Sequence, residues 1–312
     1  MAAIELKSVT KKYGGLKAVD DLDLIVKEGE IFGFLGPNGS GKSTTIDLIL
    51  DFARPTSGTI TVFGRNTRTN SKYIHKKTGI LPDNFDLYDR LTGREHLKFA
   101  IRAKNAETSV ETMAKKVQLT EDEIKRRVGG YSKGMKQRLA LGMALTGNPD
   151  LLILDEPSSG LDPNGMKELR KVLQDEASTG TTVFFSSHIL SEIEAICNRV
   201  GILKDGNLLT VAELDELFAE SGVKSTIEIT CVNDPPQNQM IKNIEAVNEC
   251  QIDGRTISIK YTDTSQKSKI ISELEDLDIG ILDIEMKTPS LEDIFTYYIG
   301  ESRRPEKTEV EV

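Results

Sequence analysis

The sequence predicts a layered α/β domain over residues 1–220 and a smaller α+β domain over residues 221–300. Two apolar runs, Ile31–Leu35 and 151–154, are as continuous as strands buried on both faces of a parallel sheet. Between them, over about residues 88–149, the strand pattern disappears and helical periodicity dominates. We therefore expect a helical subdomain inserted into an α/β core with a largely parallel sheet. A further strand is predicted at 182–186.

The predicted elements after residue 221 follow the order β-α-β-β-α-β, which is typical of a ferredoxin-like domain. The strands are predicted at 226–232, around Cys250, around Ile257 and at 281–286, and the helices at 239–246 and 267–277. Asp253-Gly254 supplies the turn between the two middle strands. An extra helix is predicted at 291–299, and the charged tail 301–312 is expected to be disordered.

Composition limits the classes of function. The chain has 312 residues, 38% hydrophobic and 29% charged, with a net charge of −9, so we expect no nucleic-acid partner. Neither a signal segment nor an apolar run of membrane-spanning length is evident, which predicts a cytoplasmic protein that reaches the membrane only through a partner. Cys197, Cys231 and Cys250 lack metal-ligand spacing and are expected to be reduced core thiols.

Residues 36–43 read Gly-Pro-Asn-Gly-Ser-Gly-Lys-Ser and fit the phosphate-binding pattern G-x-x-x-x-G-K-[ST]. The motif follows the strand Ile31–Leu35 and opens a helical run, so backbone N–H groups and the helix N-terminus can surround phosphate oxygens. We expect Lys42 to bridge the β- and γ-phosphates of ATP and Ser43 to coordinate Mg²⁺. The candidate nucleotide-binding residues are Gly36, Pro37, Asn38, Gly39, Ser40, Gly41, Lys42, Ser43 and Thr44.

Two adjacent acids, Asp155 and Glu156, end the apolar run 151–154. Ligands of open α/β sheets bind at the carboxyl ends of the strands, so both carboxylates are expected beside the phosphate site. Asp155 is a candidate Mg²⁺ ligand and Glu156 a candidate acceptor for a proton of the attacking water.

Residues 131–138, Tyr-Ser-Lys-Gly-Met-Lys-Gln-Arg, resemble the signature motif of ATP-binding cassette (ABC) ATPases in its S-K-G-M variant. Further family elements stand in order: Tyr13 upstream, residues 159–162 after the acids, and His188 after the following strand. The resemblance covers about residues 4–215. It implies a P-loop NTPase cassette that dimerises head to tail, each signature motif acting on ATP held by the other copy.

The resemblance also implies a role for each motif residue. Tyr13 would stack on adenine, Asp162 would cross the dimer interface, and His188 would contact the γ-phosphate and the attacking water. The signature residues expected at the γ-phosphate of the other copy's ATP are Ser132, Lys133, Gly134 and Met135. Because a helical run is predicted at 135–147, Ser132 is also a candidate N-cap, and a capped helix N-terminus attracts anions.

Asp83 departs from the family pattern, which has a glutamine at this position. Aspartate can still ligate Mg²⁺, but it is shorter and charged and donates no hydrogen bond when ionised. We therefore expect Asp83 to keep a metal-sensing role.

The resemblance implies an ATPase subunit that powers a separate transmembrane permease from the inner face of the cell membrane. The S-K-G-M motif and residues 289–295 are similar to those of ABC-2-type exporters, and the region 83–97 is where the family receives its membrane partner. Two alternatives stay open. One is a soluble ABC ATPase that acts on ribosomes or DNA, and the other is a nucleotide-gated regulator that works through its C-terminal domain.

Overall fold

The computed structural model describes residues 1–220, 225–235, 238–242, 244, 247–261, 267–275, 280–287 and 290–301. The chain divides into two compact units, Met1–Leu214 and Asp215–Val312. Among the described residues, no helix combines the length and the apolarity that crossing a membrane requires.

The first unit is built from ten strands, eight α-helices and a short 3-10 helix at Val128–Gly130. The strands are β1 (Ala2–Tyr13), β2 (Leu16–Lys27), β3 (Ile31–Leu35), β4 (Ser57–Val62), β5 (Arg65–Asn66), β6 (Thr78–Leu81), β7 (Leu151–Asp155), β8 (Thr182–Ser187), β9 (Arg199–Lys204) and β10 (Asn207–Glu213). The helices are α1 (Lys42–Ile49), α2 (Thr67–Lys77), α3 (Gly93–Lys104), α4 (Val110–Lys116), α5 (Glu121–Lys125), α6 (Lys133–Ala144), α7 (Pro163–Ser178) and α8 (Leu190–Ile196). A ninth helix, α9 (Leu214–Glu220), begins at the last residue of this unit.

A six-stranded sheet positions the candidate site. Its strand order is β10-β9-β3-β8-β7-β6, with parallel pairing from β9 to β6 and an antiparallel edge strand β10. The carboxyl ends of β3, β7 and β8 therefore lie side by side at one edge of the sheet. This arrangement confirms the predicted α/β fold with a largely parallel sheet. Helices α3 to α6 occupy the stretch between β6 and β7 that was predicted to be helical.

Four strands of the first unit form a second sheet that was not predicted. The sequence predicted only a largely parallel sheet, but β2, β1, β4 and β5 form a separate antiparallel sheet. The physical reason is the alternation in β2, where Leu22, Leu24 and Val26 are buried and Asp23 and Ile25 are exposed. This period of two places one face of a sheet on the core and leaves the other toward solvent.

Aromatic rings fill the core beneath the six-stranded sheet. Phe184 is fully buried, and its ring centroid lies 5.8 Å from that of Phe32 and 5.3 Å from that of Phe34. All three cysteines are free and buried, in agreement with the prediction of core thiols. Burial raises the pKa of each thiol, as expected for core residues rather than reactive ones.

Phe184→Ala is expected to lower the free energy of unfolding by about 3–5 kcal/mol, because it removes a buried ring and leaves a cavity. Phe99→Ala, at a residue that is 67% exposed, is the matched control and is expected to change stability by about 0.5 kcal/mol or less. Chemical denaturation of both variants measures the difference. Equal stabilities would contradict the packing described for Phe184.

The second unit contains a four-stranded antiparallel sheet. Its elements are β11 (Ser225–Cys231), α10 (Asn238–Lys242), β12 (Glu249–Asp253), β13 (Thr256–Tyr261), α11 (Lys267–Glu275), β14 (Ile281–Lys287) and α12 (Leu291–Glu301). The strand order β12-β13-β11-β14 is that of a ferredoxin-like domain, in agreement with the predicted element order. Helix α12 extends to Glu301, which was predicted to belong to the disordered tail, and the other residues of that tail, 302–312, lie outside the described residues. The last residues of the two helices predicted at 239–246 and 267–277 also fall partly outside the described residues, namely 243, 245, 246, 276 and 277.

Candidate functional site

The loop 36–41 joins β3 to α1 and has the backbone shape of a phosphate cradle. Gly39 and Gly41 have φ angles of 81° and 109°, a region that side-chain-bearing residues rarely adopt. A Cβ atom on Gly41 would also lie 2.3 Å from the carbonyl oxygen of Ala18. Glycine at this position therefore lets the loop turn tightly and directs backbone N–H groups toward a common centre.

The Lys42 side chain connects this loop to the acidic strand end. Lys42 is 6% exposed, and its ammonium donates a 2.7 Å hydrogen bond to the carbonyl oxygen of Gly36. The same nitrogen lies 3.3 Å from Oε1 of Glu156. The Lys42 ammonium is thus held between the loop and the Glu156 carboxylate, where it can bind a phosphate group.

Asp155 and Glu156 stand at the end of β7, as predicted. Oδ1 of Asp155 accepts a 2.5 Å hydrogen bond from the hydroxyl of Ser186, and the backbone N–H of Glu156 donates to the carbonyl oxygen of Ser186 at 3.1 Å. Glu156 has a φ angle of 49°, a strained conformation for a residue with a side chain. Its buried Oε1 atom accepts no hydrogen bond, and the charge that faces it is the Lys42 ammonium 3.3 Å away.

His188 follows β8 directly and contacts the same carboxylate. Its Nδ1 atom lies 2.7 Å from Oε2 of Glu156, while almost half of the His188 side chain stays exposed. The structure therefore brings together Lys42, Glu156 and His188, the three residues that the sequence singled out for chemistry. Each comes from a loop after a different strand of the sheet.

Asp83 lies two residues after the end of β6, the strand next to β7. Desolvation raises the pKa of the Asp83 carboxyl, and the nearby Asp155 and Glu156 carboxylates raise it further, partly offset by Lys133 and His188. Asp83 therefore lies within electrostatic range of the acidic strand end.

The donors at these strand ends suit Mg²⁺. Hard cations of this size prefer oxygen ligands and are commonly held by one or two carboxylates together with substrate phosphates. Ser43, at the start of α1, offers an exposed hydroxyl, and Asp155 offers the carboxylate Oδ2 besides the hydrogen-bonded Oδ1. These two residues could hold the ion.

The signature residues begin α6, where Ser132 is the N-cap and its hydroxyl accepts from the backbone N–H of Met135 at 3.2 Å. This confirms the predicted cap, although α6 begins at Lys133 rather than 135. The helix ends at Ala144 rather than at the predicted residue 147. Residues 145–147 form a turn, and the φ angle of 88° at Gly147 is incompatible with a right-handed helix.

A cavity of about 350 Å³ lies beside the signature residues. Asp162 caps α7 by accepting from the N–H of Gly165 at 2.7 Å, and the ammonium of Lys133 donates to the hydroxyl of Ser159 at 3.3 Å. The structure therefore brings four of the predicted residues to one cavity. They are Ser132, Lys133, Gly134 and Asp162.

Tyr13 lies at the end of β1, next to the tight connection to β2. Its ring is half exposed, and the ammonium of Lys11 lies 4.6 Å from the ring centroid. An exposed aromatic face of this kind can stack on a base.

Sequence reasoning missed the serines that support the site. Ser186 holds Asp155 and the backbone of Glu156, and Ser158 and Ser187 both donate to the buried carboxyl of Glu192. The signal was present: two serines end the apolar strand β8, and buried hydroxyls require hydrogen-bond partners.

Comparison with known proteins identifies the family of this chain. Residues 19–159 match the family described as ABC transporter. The bacitracin transport ATP-binding protein BcrA of Bacillus licheniformis is 38% identical over 306 residues, which cover 95% of this chain and 97% of that protein. The linearmycin resistance ATP-binding protein LnrL of Bacillus subtilis is 30% identical over 311 residues, covering 96% and 99%.

A solved dimeric ATP-binding cassette, in a post-hydrolysis state with ADP and Pi, has a similar fold. It superposes with a TM-score of 0.62 at 28% identity, covering 68% of this chain and 98% of the solved one. The fold and the site thus define a nucleotide-hydrolysing P-loop cassette. The chain belongs to the ABC transporter ATP-binding proteins, and it is an ATPase.

Proposed function

We propose that this chain is the ATPase subunit of an exporter, and that ATP drives two copies together head to tail to power a separate membrane-embedded chain. The observation that carries the proposal is the contact of Lys42 and His188 with the two oxygens of Glu156, at 3.3 Å and 2.7 Å. A carboxylate between a phosphate-binding lysine and a histidine is suited to activating water beside a γ-phosphate.

The proposed reaction is the attack of water on the γ-phosphorus of ATP. The oxygen of water forms a bond to phosphorus, the bond from phosphorus to the ADP oxygen breaks, and Glu156 accepts a proton from the water. His188 holds the Glu156 carboxylate in place and faces the γ-phosphate, while Lys42 balances the negative charge of the phosphates. Mg²⁺, held by Ser43 and Asp155, would supply positive charge to the β- and γ-phosphates.

Nucleotide binding uses both copies in this proposal. The loop 36–41 with Lys42, Ser43 and Thr44 holds the phosphates, and Tyr13 stacks on the adenine. The cavity beside Ser132, Lys133 and Gly134 receives the γ-phosphate bound by the second copy, and Asp162 lies at the contact between the copies. The dimeric solved cassette supports such an arrangement.

Asp83→Ala is expected to raise the Mg²⁺ concentration needed for half-maximal ATP hydrolysis by several-fold. The reason is that Asp83 contributes negative charge close to the proposed ligand Asp155. Asp86→Ala is the matched control, because Asp86 is an exposed acid of the same segment. Titrating hydrolysis with Mg²⁺ at saturating ATP measures the effect, and identical titrations for the two variants would reject a metal-sensing role for Asp83.

The membrane partner is proposed to dock on the region after Asp83. Tyr88 is 76% exposed and Phe99 is 67% exposed, and large apolar side chains at an accessible surface suit a protein contact. The names of the relatives BcrA and LnrL support an antibiotic-type compound as the exported substrate. The protein is accordingly proposed to lie in the cytoplasm at the inner face of the membrane.

Purification of the tagged chain from gently solubilised native membranes tests this proposal. Mass spectrometry is expected to identify a multi-spanning membrane protein in stoichiometric amount, and the Tyr88→Ala/Phe99→Ala variant is expected to recover less of it. Recovery of ribosomal or DNA-associated proteins without a membrane chain would overturn the proposal in favour of the soluble ABC ATPase.

A further inference from the structure

Helix α8 carries a buried carboxyl group that the proposed reaction does not use. Glu192 is 7% exposed and accepts hydrogen bonds from two serine hydroxyls, that of Ser158 and, at 3.0 Å, that of Ser187. Both hydroxyls reach the same oxygen, Oε2. Burial raises the pKa of the Glu192 carboxyl, and the nearby Glu156 raises it further, while the two serine hydrogen bonds oppose this shift.

The two serines belong to different functional segments. Ser158 begins the turn 158–162, since its carbonyl oxygen accepts from the backbone N–H of Leu161 at 2.9 Å. That turn continues to Ser159, whose hydroxyl is contacted by Lys133 of the signature motif. It ends at Asp162, the cap of α7.

Ser187 is the last residue of β8 and directly precedes His188. Its hydroxyl also accepts from the backbone N–H of Ile189 at 2.9 Å, so the chain on both sides of His188 is held by this one side chain. His188 in turn contacts Glu156. A single carboxyl oxygen therefore joins the segment that positions His188 to the turn that follows Glu156.

We infer that Glu192 is a positioning residue for ATP hydrolysis, which fixes His188 and the turn 158–162 relative to each other and to Glu156. This inference rests on the proposed roles of Glu156 and His188. Without the Glu192 carboxyl, the two buried hydroxyls lose their shared acceptor. The turn 158–162 and the segment of His188 are then no longer held in a fixed position relative to each other. Small displacements of groups around a reacting centre reduce turnover strongly, while the binding of ATP by the loop 36–41 is left unchanged.

Steady-state ATP hydrolysis by the full chain tests the inference with three variants. Glu192→Ala is expected to lower kcat about 10-fold and to leave KM for ATP within about twofold. Glu192→Gln is expected to restore kcat to within about twofold, because the amide oxygen still accepts from both hydroxyls. Glu194→Ala removes an exposed acid from the same helix and is expected to match the unaltered protein.

Two serine variants keep the test valid if Glu192→Ala fails to fold. Ser158→Ala and Ser187→Ala each remove one hydrogen bond, and the double variant is expected to lower kcat about as much as Glu192→Ala does. Unchanged kcat in the Ala variants, or equal losses for Glu192→Gln and Glu192→Ala, would overturn the positioning role.

Measuring Glu156→Gln beside these variants distinguishes a failure of the Glu192 inference from a failure of the proposed reaction. If Glu156→Gln loses turnover and Glu192→Ala does not, the inference about Glu192 alone is wrong. If Glu156→Gln hydrolyses ATP at the normal rate, the proposed reaction itself is wrong.

Discussion

Glu156→Gln is expected to lower the rate of ATP hydrolysis by about 10²–10⁴-fold and to leave the affinity for ATP nearly unchanged. Loss of a positioned general base has an effect of this size. Glutamine is almost isosteric with glutamate, and its amide can still form a hydrogen bond with Lys42 or His188. It cannot, however, accept a proton from water. Initial rates at saturating ATP, with ATP affinity measured by calorimetry, check both parts.

Glu194→Gln is the matched control for this experiment, because it makes the same chemical change at an exposed position of the first unit. It is expected to leave both the rate and the affinity unchanged. Normal turnover of Glu156→Gln would refute the proposed role, and a large loss of ATP affinity would indicate that Glu156 acts in binding instead.

Lys42→Ala is expected to weaken ATP binding by about 10- to 100-fold, which corresponds to losing one hydrogen bond to a charged group. The ammonium is buried and contacts the carbonyl oxygen of Gly36, so it has little freedom to leave the phosphate loop. Its removal also leaves the Glu156 carboxylate without its nearest cation, and an anion facing the phosphates repels them.

Direct titration with ATP measures this loss, with Lys115→Ala as the control that removes an exposed lysine from α4. Lys115→Ala is expected to bind ATP normally. If Lys42→Ala bound ATP as tightly as the control and lost only turnover, Lys42 would act on the transition state and not on the bound nucleotide.

Local sequence patterns were sufficient to predict the core of the site. The loop 36–41 and the acids Asp155 and Glu156 each follow a continuous apolar strand, and parallel strands end at a common edge of the sheet. The fold class and the ATPase activity were predicted correctly for this reason. The family resemblance implied that His188 contacts the γ-phosphate and the attacking water, but the contact between His188 and Glu156 was not predicted, since 31 residues of chain separate them.

Other features depend on tertiary packing and could not be predicted in this way. The antiparallel sheet of β1, β2, β4 and β5 pairs β4 with β1 across the intervening strand β3 and helix α1, and its register is fixed by packing against the core. The hydrogen bonds of Glu192 also pair distant segments, and Glu192 itself reads in the sequence as one of several acids on a helix. Only its burial distinguishes it from the exposed Glu194.

Sedimentation of Glu156→Gln with and without ATP tests most directly the claim that ATP joins two copies of this chain. We expect a monomer without nucleotide and a stable dimer with ATP, because in the proposed dimer Ser132 and Gly134 of one copy contact the γ-phosphate bound by Lys42 of the other. A Ser132→Arg substitution in the same background is expected to prevent the dimer, since a bulky side chain would enter the cavity. A monomer at saturating ATP and micromolar protein would contradict the account.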